Sequence, residues 1–404
     1  MNLTIGFRVP KGLEDISLSE INEKVGPLIS SIASTNEFKI QNAIGLIMFQ
    51  IYILDQEIIY LLWERIESLR LYSVEAIGLI IKTIEIDRHI YLEQSESKED
   101  NDFSILLKQS LDDITLQDWT VYFKTLKLKD KETLFRVSVD KNNFKHPNLK
   151  SQDIAGFIGF SALSSDQINF TNLKVDLKYH QLDISADLIP TKSSEGYLTL
   201  VLGIINTKLN LNNGSYLRRN RIESGRTSIK PTIAYCLSRY AGIKPGDIVL
   251  DPCCGVGTIP IEASCSYQPQ AYYLAGDIEE SSIYSKACIN IKYSKVKNVE
   301  LIQWNSKSLP IKSNSVDKVI SDLPWGMREG SRNMCSKLYP KLMKELSRIV
   351  KVGGGAFLVT LDHPLLKRCL EYDHIKVCWK IIEVKTIKIG FEVKLFCLER
   401  ISST

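Results

Sequence analysis

The sequence predicts an α/β chain, with a C-terminal parallel sheet of the nucleotide-binding type following an N-terminal α+β region. Three observations carry that expectation. Two motifs, Asp251-Pro-Cys-Cys-Gly-Val-Gly257 and Asp322-Leu-Pro-Trp-Gly326, each close a short apolar run. The interval between them holds two further strand-helix units, as a doubly wound sheet needs if both strand ends are to meet at one edge. With 404 residues, 44% hydrophobic and 24% charged, the composition is that of a globular protein of two or three domains.

Taken from the N-terminus, residues 1–118 read as an α+β, ferredoxin-like region, apolar-rich to about residue 92 and then interrupted by the polar run Glu93–Asp102. Residues 119–205 read as a second strand-helix-strand module bearing Lys124 and Lys145. A connector, 206–230, carries Arg218, Arg219, Arg221 and Arg226 in a polar, Gly-containing stretch suited to phosphate contacts. Because the net charge is only +4, any affinity for RNA has to come from such local clusters. Residues 231–404 form the last domain.

Within that domain, Pro245-Gly246 opens a strand that ends at Asp251. Gly255 and Gly257 let the chain turn tightly and let a ligand approach the backbone, and Thr258 is expected to cap the helix that follows. A second strand, Ala271–Asp277, ends in a carboxylate about 20 positions beyond the glycines, the spacing at which ribose hydroxyls are received. A third strand, Val299–Gln303, leads to Asn305, and a fourth, Asp317–Asp322, leads into the second motif. Cys253, together with Ile278 and Ser306 beside Asp277 and Asn305, completes the expected cofactor set.

The second motif carries the chemistry. An exocyclic base amine is a weak nucleophile because its lone pair is delocalised into the ring. The Asp322 carboxylate and the Leu323 carbonyl can accept its two N–H groups, Pro324 stiffens the turn, and Trp325 offers a face for stacking. Together with the cofactor loop, this points to methyl transfer from S-adenosylmethionine to a base nitrogen, driven by positioning and desolvation.

Nine cysteines, none in a C-x-x-C pair, and five histidines without ligand spacing suggest no metal site. The scattered, odd set of thiols suits a reducing compartment. His146 is expected at the surface. The apolar stretch Ala43–Leu54 is too short to span a bilayer, and the first residues lack a signal-peptide layout, so no membrane association is expected.

The stretches Thr227–Ala234, Asp251–Ala263, Gly276-Asp277, Leu309-Pro310, Ser315–Gly326, Leu338-Tyr-Pro340 and Ser347–Gly354 resemble the catalytic domain of the THUMP-domain RNA methyltransferases, in particular the eukaryotic subgroup that makes N2-methylguanosine. Val9–Asp15, Phe135–Val139, Val175–Lys178 and Leu202-Gly203 resemble the front of the same family. The resemblance implies a class I, Rossmann-like methyltransferase domain and a THUMP module at 119–205. It further implies a guanosine substrate in the tRNA acceptor stem at position 6, or alternatively in U6 small nuclear RNA, and a small zinc-binding activator subunit as partner in the cytoplasm or nucleus. The chain departs from the family pattern at four places: Asn305 stands for an Asp that reads the adenine amine, Trp325 for a Phe, Met327-Arg328 for a basic pair and Cys253 for a Met. Two further readings are a non-catalytic RNA-binding protein and a small-amine or protein-glutamine methyltransferase, the latter having no need of the front half.

Overall fold

The computed structural model describes residues 2–32, 38–53, 55–98, 101–113, 125, 133–164, 173–191, 196–206, 219–225, 227–326 and 331–402. By compactness the chain divides into two units, Met1–Val9 with Leu18–Asn213, and Pro10–Ser17 with Gly214–Thr404.

The front unit is built on one sheet of order β2-β3-β1-β4-β8-β7-β5-β6. Its first four strands, β1 (Asn2–Arg8), β2 (Phe38–Ala43), β3 (Leu46–Tyr52) and β4 (Ala76–Asp87), alternate with helices Glu14–Ile32 and Gln56–Ser68 in a βαββαβ path. The side chains Leu3, Ile5 and Phe7 alternate inward on β1 and pack with Phe49 and Trp63 in one apolar core. Strands β5 (Thr133–Asp140), β6 (Leu173–Val175), β7 (Leu182–Pro190) and β8 (Tyr197–Asn206) extend the same sheet through antiparallel pairing of β4 with β8. No break in the sheet separates the region before residue 119 from the module after it. His146 is buried, contrary to expectation: its Nδ1 accepts the backbone N–H groups of Asn148 and Leu149, and its ring packs edge-on to Tyr91.

The rear unit holds a sheet of order β11-β10-β9-β12-β13-β15-β14. Strands β9 (Ile248–Asp251), β10 (Tyr272–Asp277), β11 (Val299–Gln303), β12 (Val316–Asp322) and β13 (Val350–Thr360) run parallel. Strand β15 (Phe391–Arg400) returns antiparallel beside β13, with β14 (Trp379–Ile389) outside it. The four expected strands lie within a residue of their expected bounds. The segment Pro10–Ser17 belongs to this unit: Lys11 accepts the Lys388 N–H, and Gly12 lies so close to the Thr386 carbonyl that a Cβ there would come within 2.1 Å of it. That explains a glycine at φ +87° in an otherwise ordinary stretch of chain.

Candidate active site

The chain winds from β9 toward β10 and β11 on one side and reaches β12 and β13 on the other, so the sheet order reverses between β9 and β12. Ligands bind beyond the carboxyl ends of strands at such a reversal. Asp251 ends β9, Asp277 ends β10 and Asp322 ends β12.

Asp251 is buried and accepts hydrogen bonds from the Ser321 hydroxyl (2.7 Å) and the Cys253 N–H (3.3 Å). Burial pushes its carboxyl up to about 7, against those two bonds. Asp277, half-buried, accepts from the Gly255 N–H (3.0 Å) and the Glu279 N–H (3.1 Å), and burial raises it as well. Gly255 and Gly257 both take left-handed conformations (φ +52° and +80°), and a Cβ on Gly255 would meet nothing within 4 Å. The loop therefore presents bare backbone to open space, the surface a cofactor needs for close approach. Gly257 caps the helix Thr258–Glu262, correcting the expectation for Thr258, which is its first residue and is buried.

Cys253 reports how closely the acids converge. Its thiol is pushed up by burial and then by the charges of Asp277, Asp251 and Asp322, so one sulfur senses all three carboxylates. Held protonated, it is unsuited to act as a nucleophile. Its Sγ approaches the hydroxyl of the buried Ser306 (3.7 Å). Asn305 is exposed, and its side-chain oxygen turns back to accept the Lys307 N–H (3.1 Å). Ile278, 65% exposed, offers apolar surface at the end of β10.

Trp304 was not expected in the site. Its indole N–H donates to the Pro252 carbonyl (3.0 Å), and its ring lies so close to Gly276 that a Cβ there would come within 2.3 Å. A glycine directly before a strand-ending acid was the signal for this contact.

In the second loop, the Trp325 indole N–H donates to Asp322 Oδ1 (3.1 Å). Leu323 is buried and its N–H pairs with the Val359 carbonyl (2.9 Å). The Pro324 carbonyl accepts the Tyr339 hydroxyl (2.8 Å) and faces the Cys335 thiol (3.2 Å). The Pro324 carbonyl is thus engaged by groups of a later helix, whereas Asp322 and Leu323 are the acceptors that the sequence assigns to an amine. Met327-Arg328 lie outside the described residues.

The connector arginines require a correction. Arg219, expected to contact phosphate, pairs with the buried Glu262 (2.7 Å), to which Asn220 also donates (3.0 Å). Arg221 is itself buried and donates to the Thr258 hydroxyl. Once the Glu262 carboxylate is buried, leaving it without a cation would cost more than burying the pair, which holds the guanidinium inward. The fully buried Asn290 ties the same stretch down, accepting from Ile222 and Glu223 N–H and donating to the Glu223 and Val256 carbonyls. Residues 219–223 are thus a brace behind the glycine loop. Lys145 is exposed in the front unit, whereas Lys124, Arg218 and Arg226 lie outside the described residues. Among the described residues no His/Cys/Asp/Glu group could hold a metal ion, and no helix is long and apolar enough to cross a membrane.

Residues 218–392 match the profile of the RMKL-like methyltransferase domain family (UPF0020). The tRNA (guanine(6)-N(2))-methyltransferase THUMP3 of Bos taurus is 30% identical over 281 residues, covering 65% of this chain and 50% of that protein. The U6 snRNA (guanine-N(2))-methyltransferase THUMPD2 of Bos taurus is 30% identical over 231 residues, covering 57% and 41%. The chain therefore spans about half the length of the curated relatives it matches. The solved structure of TrmN from Thermus thermophilus shares the fold over 99% of this chain and 100% of its own, with a TM-score of 0.64 at 20% identity.

Proposed function

We propose that the chain, whose residues 218–392 match the RMKL-like methyltransferase domain family, methylates the exocyclic N2 of a guanosine in RNA. The observation that carries this reading is the meeting of the Asp251–Gly257 loop and the Asp322–Gly326 loop at the sheet reversal. One presents open backbone beside two carboxylates, and the other presents an acceptor pair beside an indole.

The residues fit S-adenosylmethionine, which supplies an electrophilic sulfonium methyl when bound. Gly255 would leave room for its polar end, Asp277 would receive the ribose hydroxyls, and Ile278 would offer apolar surface to the adenine. Asn305 and Ser306 flank the adenine edge. Asp322 and the Leu323 carbonyl hold the guanine amine, with Trp325 stacked on the base, and its proton leaves to Asp322 or water.

A tRNA acceptor-stem guanosine at position 6 is the favoured target, because the tRNA-specific relative covers more of this chain than the U6-specific one. RNA binding is assigned to the front unit, with Lys145 contributing to it, rather than to Arg219 and Arg221. A small zinc-binding activator subunit fits the outer edge of the rear sheet, where Ile302 on β11 and the neighbouring Tyr284 and Tyr293 are exposed. The test is methyl incorporation into separate tRNA and U6 pools, with and without that subunit, followed by nucleoside analysis. N2-methylguanosine confined to tRNA is the expected product. Label in U6 alone moves the substrate to small nuclear RNA, and no label in either pool with partner and cofactor present favours an RNA-binding protein without catalysis.

A further inference from the structure

We infer that Tyr339 is a positioning residue of the amine clamp, acting through the Pro324 carbonyl. The inference rests on the reading of Asp322–Trp325 as that clamp. Tyr339 lies on the helix Arg332–Ile349 with its side chain fully buried, where phenylalanine would fill nearly the same volume. A buried hydroxyl is costly unless bonded, so its presence needs a partner to explain it. It has two: the Pro324 carbonyl at 2.8 Å and the Thr360 hydroxyl at 2.7 Å.

The protons in this chain of bonds have one consistent direction. The Asp362 N–H can only donate, and it donates to Thr360 Oγ1 (3.0 Å). The Pro324 carbonyl can only accept. Tyr339 has one proton to give, so it goes to Pro324, and Thr360 donates to Tyr339. The Cys335 thiol, one helical turn before Tyr339, takes the carbonyl's second lone pair at 3.2 Å.

The anchor matters because the loop has few others. Leu323 spends its N–H on Val359, and Pro324 has no N–H at all. Gly326 is held against the start of the same helix, where a Cβ would come within 2.9 Å of the Arg332 nitrogen. The Leu323 N–H bond fixes the peptide before Leu323 and the Pro324 carbonyl bonds fix the peptide after Pro324, so with the proline φ locked by its ring the Leu323–Pro324 peptide between them is held in rotation from both ends. That rotation decides whether the Leu323 carbonyl stands beside the Asp322 carboxylate to receive two N–H groups of one amine. Small displacements of such groups are expensive in rate and cheap in binding.

The test uses the full chain with Tyr339→Phe, Thr360→Val and Thr360→Ser, measuring single-turnover methyl transfer, S-adenosylmethionine affinity and Tm. Tyr339→Phe should slow transfer roughly tenfold with cofactor affinity and Tm nearly unchanged. Thr360→Val, which leaves the Tyr339–Pro324 bond in place but no longer orients the tyrosine hydroxyl, should lose less than Tyr339→Phe, and Thr360→Ser should keep the wild-type rate. An arm independent of catalysis follows the Trp325 indole ¹H–¹⁵N signal, assigned by its loss in Trp325→Phe: it should shift in Tyr339→Phe while the Trp304 and Trp379 signals stay in place. A wild-type rate with an unmoved Trp325 signal, or a rate loss matched by a fall in Tm, overturns the inference. A wild-type chain that methylates no RNA overturns the methyltransferase reading alone, and the indole signal then decides the role of Tyr339.

Discussion

The loops after β9 and β12 end on neighbouring strands, yet they are held in different ways. The first is fixed largely from within and just behind, by Asp251 and Asp277 bonding the loop's own backbone, by Arg221 of the connector and by Asn290 on the helix Cys288–Ser294. The second is fixed from far along the chain, by Tyr339 and Cys335 on a later helix and Val359 on the next strand. A loop that receives a cofactor by its backbone has to be held open and smooth. A loop that grips a small amine has to hold two acceptors at a set distance, which takes a rigid element outside it.

The largest expected effect separates the two loops directly. Asp322→Ala removes an acceptor from the clamp and leaves the glycine loop untouched, so turnover should fall on the order of 10³-fold while S-adenosylmethionine affinity, measured by calorimetry, changes little. Loss of cofactor binding instead would move Asp322 into the first loop's pocket and erase the distinction.

Next in size is the brace. Arg219→Ala leaves the Glu262 carboxylate buried with only the amide of Asn220 and the hydroxyl of Ser266 for company. Removing one partner of a buried pair should cost about 3 kcal/mol, read by urea unfolding, with weaker cofactor binding. The salt dependence of RNA binding should keep its slope. A shallower salt slope with unchanged stability would return Arg219 to the RNA surface.

This contrast also marks what could be read in the sequence. Four of the five parallel strands, and the acids that end three of them, were legible because a short apolar run closed by a turn residue or an acid has few other uses in a globular chain. The left-handed glycines were legible for the same reason. Tyr339, Trp304 and Asn290 were not, since a tyrosine, a tryptophan or an asparagine within a helix or at a strand end carries no periodic signature; only the contact gives it a role. Arg219 and Arg221 misled because charge alone does not state which way a guanidinium faces, and the buried Glu262 that holds Arg219 lies some forty residues away. His146 failed likewise, its burial depending on Tyr91 and the turn at Asn148.

The smallest effect tests the electrostatics of the first loop. Burial raises the Asp251 carboxyl to about 7, above its ordinary range near 4 in the unfolded chain. Between those values the folded protein binds the proton that the unfolded chain has released, so this group's contribution is full at about pH 4 and declines as pH rises through about 7. Asp251→Asn keeps an acceptor for the Ser321 hydroxyl and cannot ionise. Urea midpoints taken from pH 5 to 8 should therefore show the variant gaining on the wild type as pH rises, most steeply below about pH 6.5 and levelling off above about 7. S-adenosylmethionine, whose sulfonium and ammonium charges favour the ionised carboxylate, should narrow the gap at pH 8. Parallel curves for the two proteins would mean that Asp251 titrates in the ordinary range, and that the glycine loop is held by an exposed carboxylate rather than a buried one.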